Sequence, residues 1–184
     1  MVDKQKILQL FRENFDPFDY YTDENKPHIH DDGTVDAQWH VYLEYDVSEL
    51  PVKFGTVDGD FSAIDKQLET LKNMPKIVKG NCELLGNKLT TLIGAPLEVG
   101  GNFEVNRNPL QDLIGFPQKV GGRVTVKWSQ SLPLLRTLNA QEVVVYGQPR
   151  VSMILNKYAK QGKRAMFDCQ KELEDAGFLE NARW

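Results

Sequence analysis

A step of 21 residues runs through the middle of this 184-residue chain and constrains its fold more than any other feature. Pro75, Pro96 and Pro117 stand 21 apart, and the same step links Val78, Val99 and Val120, then Gly80, Gly101 and Gly122. Further columns join Cys82, Phe103 and Val124, then Leu84, Val105 and Val126, then Leu71, Leu92, Leu113 and Leu134. One step upstream lie Leu50, Val57, Gly59, Phe61, Ala63 and Leu68. So many columns on one step mark a repeat architecture, in which each unit buries its apolar side only by stacking on its neighbours. Beyond Leu134, the residues Leu138, Val143 and Val145 continue the series with a spacing about two residues shorter, as expected where a solenoid nears its end.

Each coil carries a strand signal. In GNFEVNRNPL, residues 101–110, Phe103 and Val105 alternate with Asn102, Glu104 and Asn106, which puts the apolar pair on one side and the polar three on the other. Strands are therefore predicted to begin near residues 39, 60, 81, 102, 123 and 143. Asn87 and Asn108 suit the bend after the strand, because a carboxamide can satisfy backbone groups that the turning chain leaves unpaired. About ten residues remain for the return, and Pro75, Pro96 and Pro117 forbid a long helix there. A turn or a short 3-10 segment is expected to close each coil.

These residues also carry a family resemblance. The stretches LPVKFGTVDGDF, LTTLIGAPLEVGGNFEVNRNPL and LIGFPQKVGG resemble the leucine-rich-repeat-like proteins of tailed bacteriophages, whose coils read roughly L-T-S-L-x-G-x-P-x-x-V-G-G-x-F-x-C-x-x-N. The resemblance covers about residues 31–147, and it departs at 128–135, where WSQSLPLL replaces the Asn-centred bend. It implies an α/β repeat fold, a leucine-rich-repeat-like solenoid with short parallel strands. It also implies a phage-encoded protein in the host cytoplasm that acts by occluding one host protein, such as an antiphage defence toxin or nuclease.

A solenoid exposes apolar surface at both ends, so the flanking segments should be amphipathic covers. Residues 3–14 place Ile7, Leu8, Leu10 and Phe11 on one side of a short helix. An aromatic connector, Phe15 to Tyr21, follows, and AQWHVYLEYDV reads as a first strand, with Trp39, Val41, Leu43, Tyr45 and Val47 alternating. Val151, Ile154, Leu155 and Tyr158 have helical spacing, and a second helix over about 163–176 ends at Gly177. The whole chain reads as one domain: an N-terminal helix/strand cap and connector at 1–38, coils at 39–147 and a C-terminal helical cap at 148–184.

Function must be sought on the strand faces. In parallel rungs about 4.8 Å apart, outward positions stack into columns. These are Asp60, Asn81, Asn102 and Arg123; Ser62, Glu83, Glu104 and Thr125; and Ile64, Leu85, Asn106 and Lys127. The predicted binding face comprises these residues, and the stacked like charges of Glu83 and Glu104 favour a partner with a basic surface. A formal charge of −4 counts against a general nucleic-acid binder, although Arg107, Arg123, Lys127 and Trp128 form the one cluster that would suit that role. His28 and His30, with Asp31 and Asp32, are the only hook for a metal-dependent enzyme, and DDGT is itself turn chemistry. No cofactor, resident metal or catalytic residue is expected. Ser129 and Ser131 lack triad partners, the Gly-Gly pairs precede strands rather than a helix, and Cys82 and Cys169 have no metal-ligand spacing. No apolar run approaches bilayer length, and the charged first 14 residues are unlike a secretory signal, so a cytosolic protein is expected.

Removal of residues 151–184 should cause aggregation, because Val143 and Val145 would lose their cover. Light scattering and thermal melting check this; a monomeric truncation with the original Tm would make the segment an appendage.

Overall fold

The chain is described here from a computed structural model covering residues 2–15, 26–161 and 163–184, without the side chains of 163 and 164. It is a parallel-strand β-solenoid of about five turns. Most coils contribute two short strands, one to each of two six-stranded sheets. The first sheet holds β1 (His28–Ile29), β2 (Val35–Ala37), β4 (Phe54–Val57), β6 (Ile77–Val78), β8 (Glu98–Val99) and β10 (Lys119–Val120). The second holds β3 (Val41–Tyr42), β5 (Phe61–Ser62), β7 (Cys82–Glu83), β9 (Phe103–Glu104), β11 (Arg123–Lys127) and β12 (Glu142–Tyr146). Among the named strands of the described residues only β1 runs antiparallel, folding back on β2 through the DDGT turn, with Gly33 at φ +82°.

The second sheet follows the repeat. Phe61, Cys82, Phe103 and Val124 face one another in register at steps of 21, and Val124 meets Val143 after 19, the shortening visible in the sequence. All five side chains are buried. The first sheet was not expected. Its repeated strands β6, β8 and β10 are only two residues long between proline and glycine, too short to give an alternation, yet Val57, Val78, Val99 and Val120 form its buried column. The returning segments close by tight turns. Ala95 N–H donates to the Leu92 carbonyl at 2.9 Å and Phe116 N–H to that of Leu113 at 3.0 Å, with Gly94 and Gly115 in the left-handed region at φ +94° and +88°. A 3-10 segment appears only at Leu135–Asn139 among the described residues. Leu50, Leu71, Leu92, Leu113 and Leu134 fill the return side of the core.

Residues 37–47 are not the single strand predicted from their alternation. Ala37 belongs to the first sheet and Val41 to the second, and Trp39 lies at the corner between them. Later coils turn the same corner at glycine. Gly80 N–H donates to the Gly59 carbonyl at 3.0 Å, Gly101 to Gly80 at 2.8 Å and Gly122 to Gly101 at 2.9 Å. The backbones lie so close that a Cβ on Gly100 would stand 2.0 Å from the Lys79 carbonyl oxygen.

Helix α1 (Lys4–Asn14) starts at Asp3, whose side chain accepts from Lys6 N–H. Phe11 from α1 packs on Phe54 with ring centres 5.8 Å apart, and Phe15 meets the same ring edge-on at 5.2 Å. The rest of the aromatic connector, residues 16–21, lies outside the described residues. At the other end α2 (Pro149–Tyr158) packs on β12 and on α3 (Lys163–Asp175). No helix among the described residues is long and apolar enough to cross a membrane.

Phe103→Ala should cost about 3–5 kcal/mol by opening an internal cavity. Gly100→Ala should cost about 1–3 kcal/mol by forcing two coils apart. Gly177→Ala, with nothing within 4 Å of the added carbon, should lose only about 1 kcal/mol from its left-handed φ. Urea unfolding of the three variants tests the order; equal losses at Gly100 and Gly177 would remove the close-approach argument.

Candidate protein-binding face

The corner column carries a polar ladder rather than free side chains. The Asp60 carboxylate accepts from Asn81 N–H at 2.6 Å, the Asn81 side-chain oxygen from Asn102 N–H at 2.9 Å, and that of Asn102 from Arg123 N–H at 2.9 Å. The four residues are half-buried, and the side-chain oxygens of Asp60, Asn81 and Asn102 are committed to the next coil. Arg123 Nε is buried without a hydrogen-bond partner. In the second column Ser62 and Thr125 are buried, and Thr125 Oγ1 donates to Asn106 Oδ1 at 2.9 Å. Those two hydroxyls do not present themselves to a partner. Glu83 and Glu104 remain, paired in register across β7 and β9, half-buried and without an ion pair among the described residues. Ile64, Leu85, Asn106 and Lys127 form the third column, which Tyr146 of β12 extends.

Where that column ends, Leu85, Asn106, Arg107, Pro109, Lys127 and Tyr146 line an open groove of about 850 Å³. The sequence placed Leu85, Asn106 and Lys127 together but gave no reason to add Pro109 or Tyr146. A bend and a strand from different coils bring those two in. Arg107 is held at the rim by an ion pair to Asp65 at 2.7 Å that spans an intervening coil. Gly86 makes this possible, since a Cβ there would stand 1.7 Å from the Asp65 carboxylate. Of the cluster weighed for nucleic acid, Arg107 is thus paired, Arg123 is half-buried and Trp128 is half-buried with Nε1 lacking a partner, while Lys127 is exposed.

The histidine cluster is a hairpin brace. His28 and His30 stack edge-on at 4.5 Å, and His30 Nε2 meets Asp36 Oδ2 at 2.7 Å. Asp31 pairs with Lys4 at 2.8 Å and Asp32 with Lys53 at 2.9 Å. Hydrogen bonds from Lys53 and Thr34 hold the Asp32 carboxyl well below the usual carboxylate range, and the Lys4 hydrogen bond lowers that of Asp31. Both carboxylates are engaged by lysine. No group of three potential metal ligands occurs among the described residues. Burial pushes the Cys82 thiol up, and that of Cys169 up to about 12, which leaves neither as a thiolate near neutrality.

Two features of the C-terminal segment were not visible in sequence. β12 is the last strand of its sheet, and α2 takes the place of another strand beside it. Val143 N–H donates to Asn156 Oδ1 at 2.7 Å, Asn156 Nδ2 to the Val143 carbonyl at 2.8 Å, and Val145 N–H to Ser152 Oγ at 2.8 Å. The signal was a polar pair at i and i+4 inside an apolar helix, which puts both side chains on one face. Likewise Asn181, from the closing GFLENARW, donates to the carbonyls of Ser129 and Leu132 at 2.9 and 2.8 Å, supplying a buried carboxamide where WSQSLPLL has none. Asn87 and Asn108 do this from within their own coils.

No protein-family model matches this chain, and comparison with curated proteins and with solved structures also gives no match.

The double variant Ser152→Ala with Asn156→Ala should expose the β12 edge and produce concentration-dependent association, with a loss of about 1–3 kcal/mol for the unsatisfied amides. Analytical ultracentrifugation and urea unfolding check both; a monomer of unchanged stability would show that water replaces the side chains.

Proposed function

We propose that the protein is a non-catalytic protein-binding scaffold of leucine-rich-repeat-like type, whose terminal helices serve as covers and whose second sheet meets one partner. The observation that carries this reading is the Glu83–Glu104 pair. Two carboxylates in register on adjoining strands, with no ion pair, repel by roughly 1–3 kcal/mol before salt screening. Folding alone gives no return for that repulsion, and a basic partner surface relieves it. Exposed Ile64 and Tyr146 and half-buried Leu85 border the pair with apolar area, the mixture that an interface centre requires. The resemblance to phage repeat proteins supports a sharper form: a phage-encoded protein in the host cytoplasm that occludes a host defence toxin or nuclease.

Glu83→Arg combined with Glu104→Arg should leave the melting temperature within a few degrees of the parent, because both side chains border water and their mutual repulsion is exchanged for another. The same change should abolish affinity capture of the partner from a bacterial lysate, since misplaced like charge at an interface costs several kcal/mol. Retained capture by the folded variant would move the interface off the Glu83–Glu104 pair.

A further inference from the structure

The groove at the end of the third column has a chemistry of its own. Its side-chain nitrogens at Lys127, Asn106 and Arg107 are donors. Lys127 is exposed, and its ammonium has no protein partner among the described residues. Asn106 uses its side-chain oxygen to accept from Thr125, which fixes the carboxamide and leaves its Nδ2 without a protein acceptor among the described residues. Arg107 is oriented by Asp65, to which one of its two terminal nitrogens is bound. Leu85, Pro109 and Tyr146 supply apolar wall, and apolar surface outweighs polar in the groove. The Lys127 ammonium and the Asn106 amide, set beside apolar wall, are complementary to an anion that carries a hydrophobic group.

We infer that this groove seats an acidic and apolar segment of a protein partner, with a carboxylate on Lys127 and Asn106 and a neighbouring aromatic or aliphatic side chain against Leu85, Pro109 and Tyr146. This deepens the reading of the second sheet as a protein-binding face. Nucleic acid is the poorer occupant. A phosphate chain leaving the groove along the strands would pass the unpaired Glu83 and Glu104 carboxylates one column away, and the chain's net charge is −4. A folded partner can instead place a carboxylate at Lys127 and a cation opposite the glutamates.

The test uses the full chain, labelled with nitrogen-15, and small probes observed by NMR. N-acetylphenylalanine should shift the Asn106 side-chain amide and the backbone amides of Lys127, Tyr146 and Gly147, with a dissociation constant in the low millimolar range. N-acetylphenylalaninamide, which lacks the carboxylate, should bind about 10-fold more weakly. Lys127→Glu should remove the response at unchanged Tm, and Lys127→Arg should keep it. Equal binding of acid and amide would overturn the inference, because the groove would then be merely apolar. A full response to inorganic phosphate alone would overturn it by marking an adventitious anion site, and tighter saturation by decathymidylate would do so in favour of nucleic acid. The Glu83/Glu104 double-Arg variant separates this result from the wider reading. If it keeps the N-acetylphenylalanine response while losing the partner, both hold; if it keeps both, the groove stands and the interface lies off the glutamates.

Discussion

The hydrogen bond from one coil to the next at the sheet corner is the constraint on which the rest of the molecule depends. A coil that turns between two sheets must leave backbone amides pointing along the stack, and an unpaired buried amide costs about 1–3 kcal/mol, more than a formed hydrogen bond returns on balance. The chain meets this with two parallel ladders. Glycine amides bond glycine carbonyls from Gly59 through Gly122, and beside them Asp60, Asn81 and Asn102 each offer a side-chain oxygen to the following coil. Both ladders fail if a coil gains or loses a residue, since acceptor and amide then fall out of step. This is why the 21-residue spacing is held through the central coils, and why it relaxes only where a ladder starts or stops.

Ending a ladder is the harder problem, because the last strand offers the same unpaired groups to any passing chain. The protein ends its second sheet with side chains. Ser152 and Asn156 reproduce the donors and acceptors of a strand from the surface of a helix, so the edge is satisfied without inviting another strand. Asn181 performs a related service for the fourth coil, where the sequence lost its own bend asparagine. Local deficits are thus made good by residues 7 to 52 positions away.

With the corner column committed to the ladder and Ser62 and Thr125 buried, little of the second sheet's outer face remains for a partner. What remains is segregated by charge. Carboxylates stand in the second column at Glu83 and Glu104, donors gather in the adjoining column around Lys127, and Leu85, Pro109 and Tyr146 supply apolar wall beside those donors. On the proposed reading as a binding face, such an arrangement would discriminate by orientation, because a partner docked in reverse would bring like charges together.

The sequence by itself determined the repeat, the register of the second sheet, the inward ladder of Cys82, Phe103 and Val124 and the role of Asn87 and Asn108, because identical spacing and period-two alternation are local properties of a chain. It also located Glu83, Glu104 and Lys127 on the strand face. Tertiary structure alone decided the first sheet, whose strands are too short to show a period, and the corner at Trp39, which an unbroken alternation concealed. It decided that Asp60, Asn81 and Asn102 serve the neighbouring coil instead of solvent, since a polar residue's period says which way it points and not what it meets. The groove, the Asp65–Arg107 bridge over Gly86 and the edge seal by Ser152 and Asn156 join residues from separate coils or from helix and strand. Only folding gives such pairs a common neighbourhood, because the distance between them in space is set by the stack and not by their distance along the chain.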